Sequence, residues 1–219
     1  MAPDVTVAVL GGTGPQGRGL LRRCASARVP VVVGSRSADR AAETAEELAT
    51  ATGGDVRGMS NEDAAAAADV VVVAVPYDGH ADLLRSLKDV LNGKIVVDCV
   101  NPLGFDQHGA FALAVEEGSA AQQAAAILTG STVVAAFHHV SAALLDDPEI
   151  SSVDTDVLVL GDDRDATDLV ASLADTVPGM RGVYGGRLRN AGQVEALTAN
   201  LISVNRRYKA HAGVRITDV

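Results

Sequence analysis

The chain has 219 residues, of which 47% are apolar and 21% are charged, and its formal net charge is -10. This length predicts one domain, or one domain with a small extension, and the composition is too apolar for a disordered protein. The acidic balance argues against nucleic acid or an anionic membrane as the main partner, because both bind basic surfaces.

Strand-like and helix-like segments alternate along the chain. Short runs of apolar, often β-branched residues predict buried strands, and apolar residues spaced three or four apart predict helices. The predicted strands are 5–10, 31–33, 55–59, 70–75, 94–100, 132–137 and 157–160. The predicted helices are 16–27, 38–50, 60–68, 79–91, 120–128, 166–176 and 190–211, and a loop is expected over 104–118.

This order of elements predicts an α/β fold. Repeated strand–helix units form a Rossmann-type, doubly wound parallel sheet, because their crossovers are right-handed and cover both faces. We assign residues 1–160 to this Rossmann-type domain. Residues 161–219 form a small C-terminal α/β extension that ends in a long helix.

The two cysteines indicate the cellular compartment of the protein and do not indicate a reactive or metal-binding site. Cys24 and Cys99 cannot form a disulfide framework and lack the spacing of metal ligands. No apolar run approaches the ~18 residues of a membrane helix, and no secretory signal is visible before the first strand. We therefore expect a cytoplasmic protein without a metal site.

A glycine-rich sequence, Gly-Gly-Thr-Gly-Pro-Gln-Gly, occupies residues 11–17 after the first predicted strand. It contains G-x-G-x-x-G between a strand and a helix, which is the context of a dinucleotide site. Gly12 permits the tight turn, Gly14 lets a pyrophosphate approach the backbone, and Gly17 lets the helix pack on the strand. The alternative is a turn that needs glycine only for its backbone conformation.

The residues after the second strand predict NADP rather than NAD. NAD sites usually carry an acidic residue there, which binds the ribose 2′-hydroxyl. This chain has Gly-Ser-Arg at 34–36 and no acid. Arg36 can form a forked contact with a 2′-phosphate, Ser35 can add a hydroxyl, and Arg40 lies one helical turn further. Alternatively, both arginines are solvated charges at the start of a helix.

The end of the fourth strand carries Val75 and Pro76, at the sheet edge where Rossmann folds place the nicotinamide. Proline lacks a backbone donor and suits a wall beside a flat ring. His80 follows in the next helix, where it could contact the cofactor or lie at the surface.

His138 and His139 follow the predicted strand 132–137. Adjacent residues on a strand point to opposite faces, so the two should not share a metal ion, and His138 is the one that we place in the cleft. A hydrogen-bonded histidine packed at a strand end is the alternative. No hydrolase motif is present, and no tyrosine has a lysine four residues later. Hydride transfer between two rings needs no acid or base at the reacting carbon, so this absence favours that chemistry.

The chain resembles the NADPH-dependent reductases of the deazaflavin coenzyme F420. The resemblance begins with Val-Ala-Val-Leu-Gly-Gly-Thr-Gly at 7–14 and Val-Gly-Ser-Arg at 33–36. It continues through the blocks at 61–64, 94–97, 137–138 and 194–198.

This resemblance implies reversible hydride transfer between NADP(H) and coenzyme F420 in a homodimer, with 161–219 contributing to the deazaflavin pocket and the dimer. The residues that it implies for the NADP pyrophosphate, the 2′-phosphate and the nicotinamide are Gly12, Thr13, Gly14, Pro15, Gln16, Ser35, Arg36, Arg40, Val75 and Pro76. The stretch 138–142 would line the deazaflavin pocket, with His138 as the catalytic residue and His139, Val140 and Ala142 beside it.

Two other functions are compatible with the same NADP domain. One is an NADPH-dependent reductase of another acceptor, such as a ferric chelate or a cyclic imine. The other is a non-catalytic NADP-sensing module, which would bind NADPH without consuming it.

Overall fold

Strands and helices alternate along residues 3–219, which are the residues that the computed structural model describes. The strands are β1 (Val7–Leu10), β2 (Val31–Ser35), β3 (Val56–Ser60), β4 (Val70–Val73), β5 (Ile95–Asp98), β6 (Leu103–Asp106), β7 (Gly109–Ala112), β8 (Thr132–Ala135), β9 (Thr155–Gly161) and β10 (Met180–Gly186). The α-helices are α1 (Pro15–Ser26), α2 (Ala38–Thr52), α3 (Asn61–Ala66), α4 (His80–Ser86), α5 (Lys88–Leu91), α6 (Ala120–Ile127), α7 (Ala142–Asp146), α8 (Arg164–Asp175) and α9 (Ala191–Tyr208).

Eight of these strands form one sheet in the order β10-β9-β8-β5-β4-β1-β2-β3. The six strands from β8 to β3 are parallel, and Val9 of β1 pairs with Val33 on one side and Val72 on the other. β9 runs antiparallel to β8, and β10 runs parallel to β9. The predicted Rossmann-type sheet is therefore confirmed, with an extension of two reversed strands at one end.

The valine-rich strands are buried on both faces, as a doubly wound sheet requires. Val7 and Val9 pack with α1, α2 and α8 on one face, in a cluster that also holds Leu21 and Leu48. Ala8 and Leu10 point to the other face, where α3 to α6 and α9 cover them. The removal of these side chains from water is the main force that joins the helices to the sheet.

Local signals fix the ends of several helices. Pro15 is the first residue of α1, where its missing N–H group costs nothing. The Ser37 side chain accepts a hydrogen bond from the Arg40 N–H group and so caps α2. α9 ends at Tyr208, and the next residue, Lys209, has a left-handed φ of 50°.

The structure differs from the predicted secondary structure in four places. The expected loop 104–118 contains the hairpin of β6 and β7, whose turn is held by the Asp106 side chain and by Gly109 at a φ of 125°. The predicted helix 79–91 divides into α4 and α5 at Leu87. β10 and α7 lie outside the predicted elements, because pairing with β9 and contacts with α1 stabilise them.

The division at residue 160 stays a prediction. Residue 160 lies within β9, and both β9 and β10 belong to the same sheet as the preceding strands. The long C-terminal helix is present as α9 and packs against α6 and β7. None of the helices within residues 3–219 has the length and apolar content needed to cross a bilayer.

Candidate functional site

A cavity of about 640 Å³ opens at the carboxyl ends of β1, β2 and β4. Its position is the one at which open α/β sheets bind ligands, because the strand ends and the loops that follow them meet there. Seven predicted site residues line it: Thr13, Gly14, Ser35, Arg36, Arg40, Val75 and Pro76. The sequence analysis gave no site role to the other lining residues, which are Gly11, Ser37, Asn61, Ala74, Gly79 and Leu83.

Two of the three glycines in the motif are required by close packing, and the third is not. A Cβ at Gly12 would lie 2.8 Å from the Val9 carbonyl oxygen, and one at Gly17 would lie 2.7 Å from the Gly11 oxygen. Packing therefore requires both glycines. Gly14 has ordinary extended backbone, with a φ of -82° and a ψ of 163°, and its Cβ would meet only the Gly11 oxygen, at 3.3 Å. Conformation does not demand a glycine at 14, and a side chain there would make one tight contact rather than an overlap.

The loop between β2 and α2 forms the positively charged end of the cavity. Ser35 and Arg36 leave β2, and Arg40 lies in the first turns of α2. Within residues 3–219, neither arginine forms a salt bridge, and no acidic side chain lines the cavity. Two uncommitted guanidinium groups at this place suit a phosphate rather than a ribose hydroxyl.

Pro15 and Gln16 lie at the start of α1, and the Gln16 side chain has another partner. Its Nε2 donates a 3.2 Å hydrogen bond to the Phe137 carbonyl oxygen, beyond the end of β8. This hydrogen bond links the glycine-rich loop 11–17 to the segment that carries His138 and His139. Phe137 has a left-handed φ of 64°, so the chain leaves the strand direction at this residue.

His80 is a correction to the predicted cofactor contacts. Its side chain is fully buried, so it neither lines the cavity nor lies at the surface. Its Nε2 is 2.6 Å from Asp98 Oδ2 and its Nδ1 is 3.2 Å from Gln123 Oε1. Burial disfavours the imidazolium, but the hydrogen bond and charge of Asp98 raise the pKa of His80 above its ordinary value.

His138 and His139 are a second correction, because β8 ends at Ala135 and both histidines lie in the turn that follows. His138 is 3% exposed, and its ring nitrogens have no hydrogen bond of ordinary geometry within residues 3–219. Burial lowers the pKa of His138 to about 4, despite the nearby Asp98 carboxylate, so the ring is neutral at pH 7. Its carbonyl oxygen accepts hydrogen bonds from Asn101 and Thr198.

The other residues of the 138–142 stretch are also outside the cavity. His139 Nε2 lies 2.8 Å from the Asp156 carbonyl oxygen, and burial lowers the pKa of this histidine. Val140 is in the core, and Ala142 begins α7. A space beside His139 and Val140 holds only about 10 Å³, which is the room of one water. The structure thus brings seven of the predicted NADP residues to one cavity, and the predicted deazaflavin residues lie outside that cavity.

Two buried charged residues, to which the sequence analysis gave no role, form hydrogen bonds with the backbone of neighbouring helices. The Glu195 carboxylate, on α9, accepts the backbone N–H groups of Ala120 and Ala121 at the start of α6. Burial raises the pKa of Glu195 to about 7, although the two N–H groups favour the carboxylate. Arg23, on α1, donates to four backbone oxygens of the α7 region, those of Leu144, Leu145, Asp147 and Ile150.

The parallel sheet, the glycine loop at the start of α1 and the arginine-lined cavity define a Rossmann-type dinucleotide-binding protein. Residues 6–102 match the family model described as NADP oxidoreductase coenzyme F420-dependent. The chain is 41% identical to an F420-dependent NADP reductase of Methanothermobacter thermautotrophicus, over 97% of this chain and 95% of that protein. It is 38% identical to one from Methanocaldococcus jannaschii, over 97% and 98% of the two chains.

Among solved structures, a proposed F420-dependent NADP reductase from Arthrobacter sp. FB24 superposes with a TM-score of 0.82. It is 26% identical, and the match covers 97% of this chain and 99% of that one. The chain belongs to the family of F420-dependent NADP oxidoreductases. The resemblance drawn from the sequence is therefore confirmed.

Proposed function

We propose that this protein transfers a hydride reversibly between NADP(H) and the deazaflavin coenzyme F420. The observation that carries the proposal is the 41% identity to the Methanothermobacter reductase, because it extends over 97% of this chain. The family model covers only residues 6–102, and likeness confined to that part would support a dinucleotide site alone. The relatives' likeness continues through the segments that carry His138 and α9.

The residues of the cavity fit NADP. We assign the pyrophosphate to the loop from Gly12 to Gln16, where the missing Cβ of Gly14 leaves room for close approach. Ser35, Arg36 and Arg40 would hold the 2′-phosphate, and Val75 and Pro76 would border the nicotinamide. When bound, NADPH supplies the hydride. The protein's contribution is to hold the ring against a wall that lacks a backbone donor at Pro76.

We assign the second substrate to the side of the turn that carries His138, His139, Val140 and Ala142. A neutral, buried His138 fits a transfer that needs no acid or base at the reacting carbon, and its role as the catalytic residue stays a prediction. Hydrogen bonds from Asn101 and Thr198 to the His138 carbonyl oxygen hold the turn in place. The contribution of residues 161–219 to this pocket also stays a prediction.

Arg36→Ala is expected to weaken NADPH binding by about 1–3 kcal/mol, because a charge-assisted contact to the 2′-phosphate is lost. NADH lacks that phosphate, so its affinity should change far less. Calorimetric titration of each nucleotide measures both effects. Arg57→Ala is the matched control, since Arg57 is exposed on β3 and does not line the cavity. Equal losses for NADPH and NADH would contradict the 2′-phosphate assignment.

The activity itself is tested by mixing the protein with NADPH and oxidised coenzyme F420 and following the visible absorbance of the deazaflavin. We expect rapid bleaching with NADPH and much slower bleaching with NADH. Intact NADPH binding without bleaching would refute the proposed reaction. It would leave the alternatives of another acceptor or an NADP-sensing module.

We also propose a homodimer in the cytoplasm. Large apolar side chains are exposed on the β6–β7 hairpin, the segment after it, and α9, which is unfavourable for an isolated chain. They are Phe105, Phe111, Leu113, Val204 and Tyr208. The thiols of Cys24 and Cys99 are free, which suits a reducing compartment.

A further inference from the structure

Asn61 is a polar residue of the cavity whose side chain lacks a hydrogen bond. It is 9% exposed and lines the cavity together with Ser35 and Arg36. Its Oδ1 is buried and has no hydrogen-bond partner within the described residues 3–219. Buried amide oxygens are nearly always paired, so an unpaired one needs an explanation.

The sheet register places this side chain at the 2′-phosphate end of the cavity. Ser60, the residue before Asn61, pairs with Ser35 across β3 and β2. The Asn61 Oδ1 lies 3.1 Å from the position that a Cβ at Gly34 would take, so the amide lies over the end of β2. The absence of a side chain at 34 is what allows the amide to lie there.

The chemistry of the neighbouring groups indicates what the amide binds. Arg36 and Arg40 can only donate hydrogen bonds, and Ser35 offers a hydroxyl. With Oδ1 turned into the protein, the amide presents its Nδ2–H group to the cavity. A set of donors without an acidic residue suits an acceptor-only group, which a phosphate dianion is and a ribose hydroxyl is not.

We propose that Asn61 is a further specificity-determining residue of the nucleotide site, whose amide donates a hydrogen bond to the 2′-phosphate. This inference rests on the proposed NADP site and not on the identity of the hydride acceptor. It also explains why an unpaired buried amide oxygen is kept, because leucine would fill the same space without that penalty.

Two substitutions test the proposal by calorimetric titration with NADPH and with NADH. Asn61→Leu should weaken NADPH binding about tenfold, change NADH binding less than about threefold, and leave the melting temperature equal or higher. Asn61→Asp should weaken NADPH binding more strongly, since a carboxylate repels the phosphate, and should lower the NADPH-to-NADH affinity ratio further. Glu62→Gln, the next residue on α3 and exposed, is the matched control.

Unchanged NADPH affinity in Asn61→Leu would overturn the proposal. Equal losses of NADPH and NADH would overturn it as well, because they would place the amide at the adenine or a ribose hydroxyl. Measurements on the wild-type protein distinguish a failure of this proposal from a failure of the proposed reaction. Tight NADPH binding without bleaching of coenzyme F420 would refute the reaction and leave the Asn61 measurements valid.

Discussion

Gly14→Ala is expected to weaken NADPH binding on the order of 100-fold, about 2.7 kcal/mol, while the free energy of unfolding falls by about 1 kcal/mol or less. The added methyl group meets only the Gly11 carbonyl oxygen within 4 Å, and the backbone at 14 is extended. The protein therefore tolerates the group. A pyrophosphate lying against the loop does not, because the methyl group occupies its place.

Gly17→Ala is the matched comparison and should show the opposite result. Its Cβ would lie 2.7 Å from the Gly11 oxygen and 2.9 Å from the Gly12 Cα, so α1 would be pushed from β1. Overpacking of this kind costs about 1–3 kcal/mol of stability. Urea unfolding and NADPH titration of both variants measure the contrast. If Gly14→Ala bound NADPH as tightly as the wild type, the pyrophosphate would lie elsewhere.

The largest loss of stability is expected from Arg23→Met, at about 3–5 kcal/mol. The guanidinium donates to four backbone oxygens between Leu144 and Ile150 at 2.5–3.0 Å. Methionine keeps much of the apolar volume and supplies no donor, so these oxygens lose their partner. α7 has only five residues, so the packing of Leu145 on α1 is left as its main support and the helix should loosen.

Arg22→Met is the control for this prediction, because the neighbouring arginine is equally buried but binds a single side chain, Asp146. We expect it to cost about 1 kcal/mol. The difference in urea midpoint between the two variants reports the backbone contacts of Arg23. A loss of less than about 1 kcal/mol in Arg23→Met would mean that α7 is held by other interactions.

Local sequence patterns predict the parallel part of the sheet well. The strands around Val9, Val33 and Val72 combine β-branched residues with burial on both faces, and the glycine at 53 ends α2 in left-handed conformation. Elements that depend on distant partners are different. β10 contains three glycines and forms because β9 pairs with it, and α7 is held by Arg23 and by the packing of Leu145 on α1. Neither partner is visible in the segment itself.

The candidate site divides in the same way. Arg36 and Gly14 belong to a motif whose spacing has a physical reason, and both line the cavity as expected. His80 was misassigned because its partner, Asp98, lies 18 residues away and draws the ring inside. Asn61 was noted only as the first residue of the family-like block 61–64 and received no site role, because a single asparagine after a strand has no motif. Its place after the third strand, level with Ser35, is the signal that could have found it.

Because β9 runs antiparallel to β8 and overlaps it only at one end, most of β9 extends past the carboxyl end of β8. Only two residue pairs join it to β8, Val134 with Gly161 and Ala135 with Leu160, so Thr155 to Val159 rise beyond the end of β8 by roughly 15 Å. The corner between the end of β8 and this part of β9 holds His139 against the Asp156 carbonyl oxygen, and the Asp156 N–H group binds Val214. A shift of β9 by one residue would move this corner by roughly 3 Å. The position of the turn that carries His138 and His139 therefore depends on the register of the two residue pairs between β8 and β9.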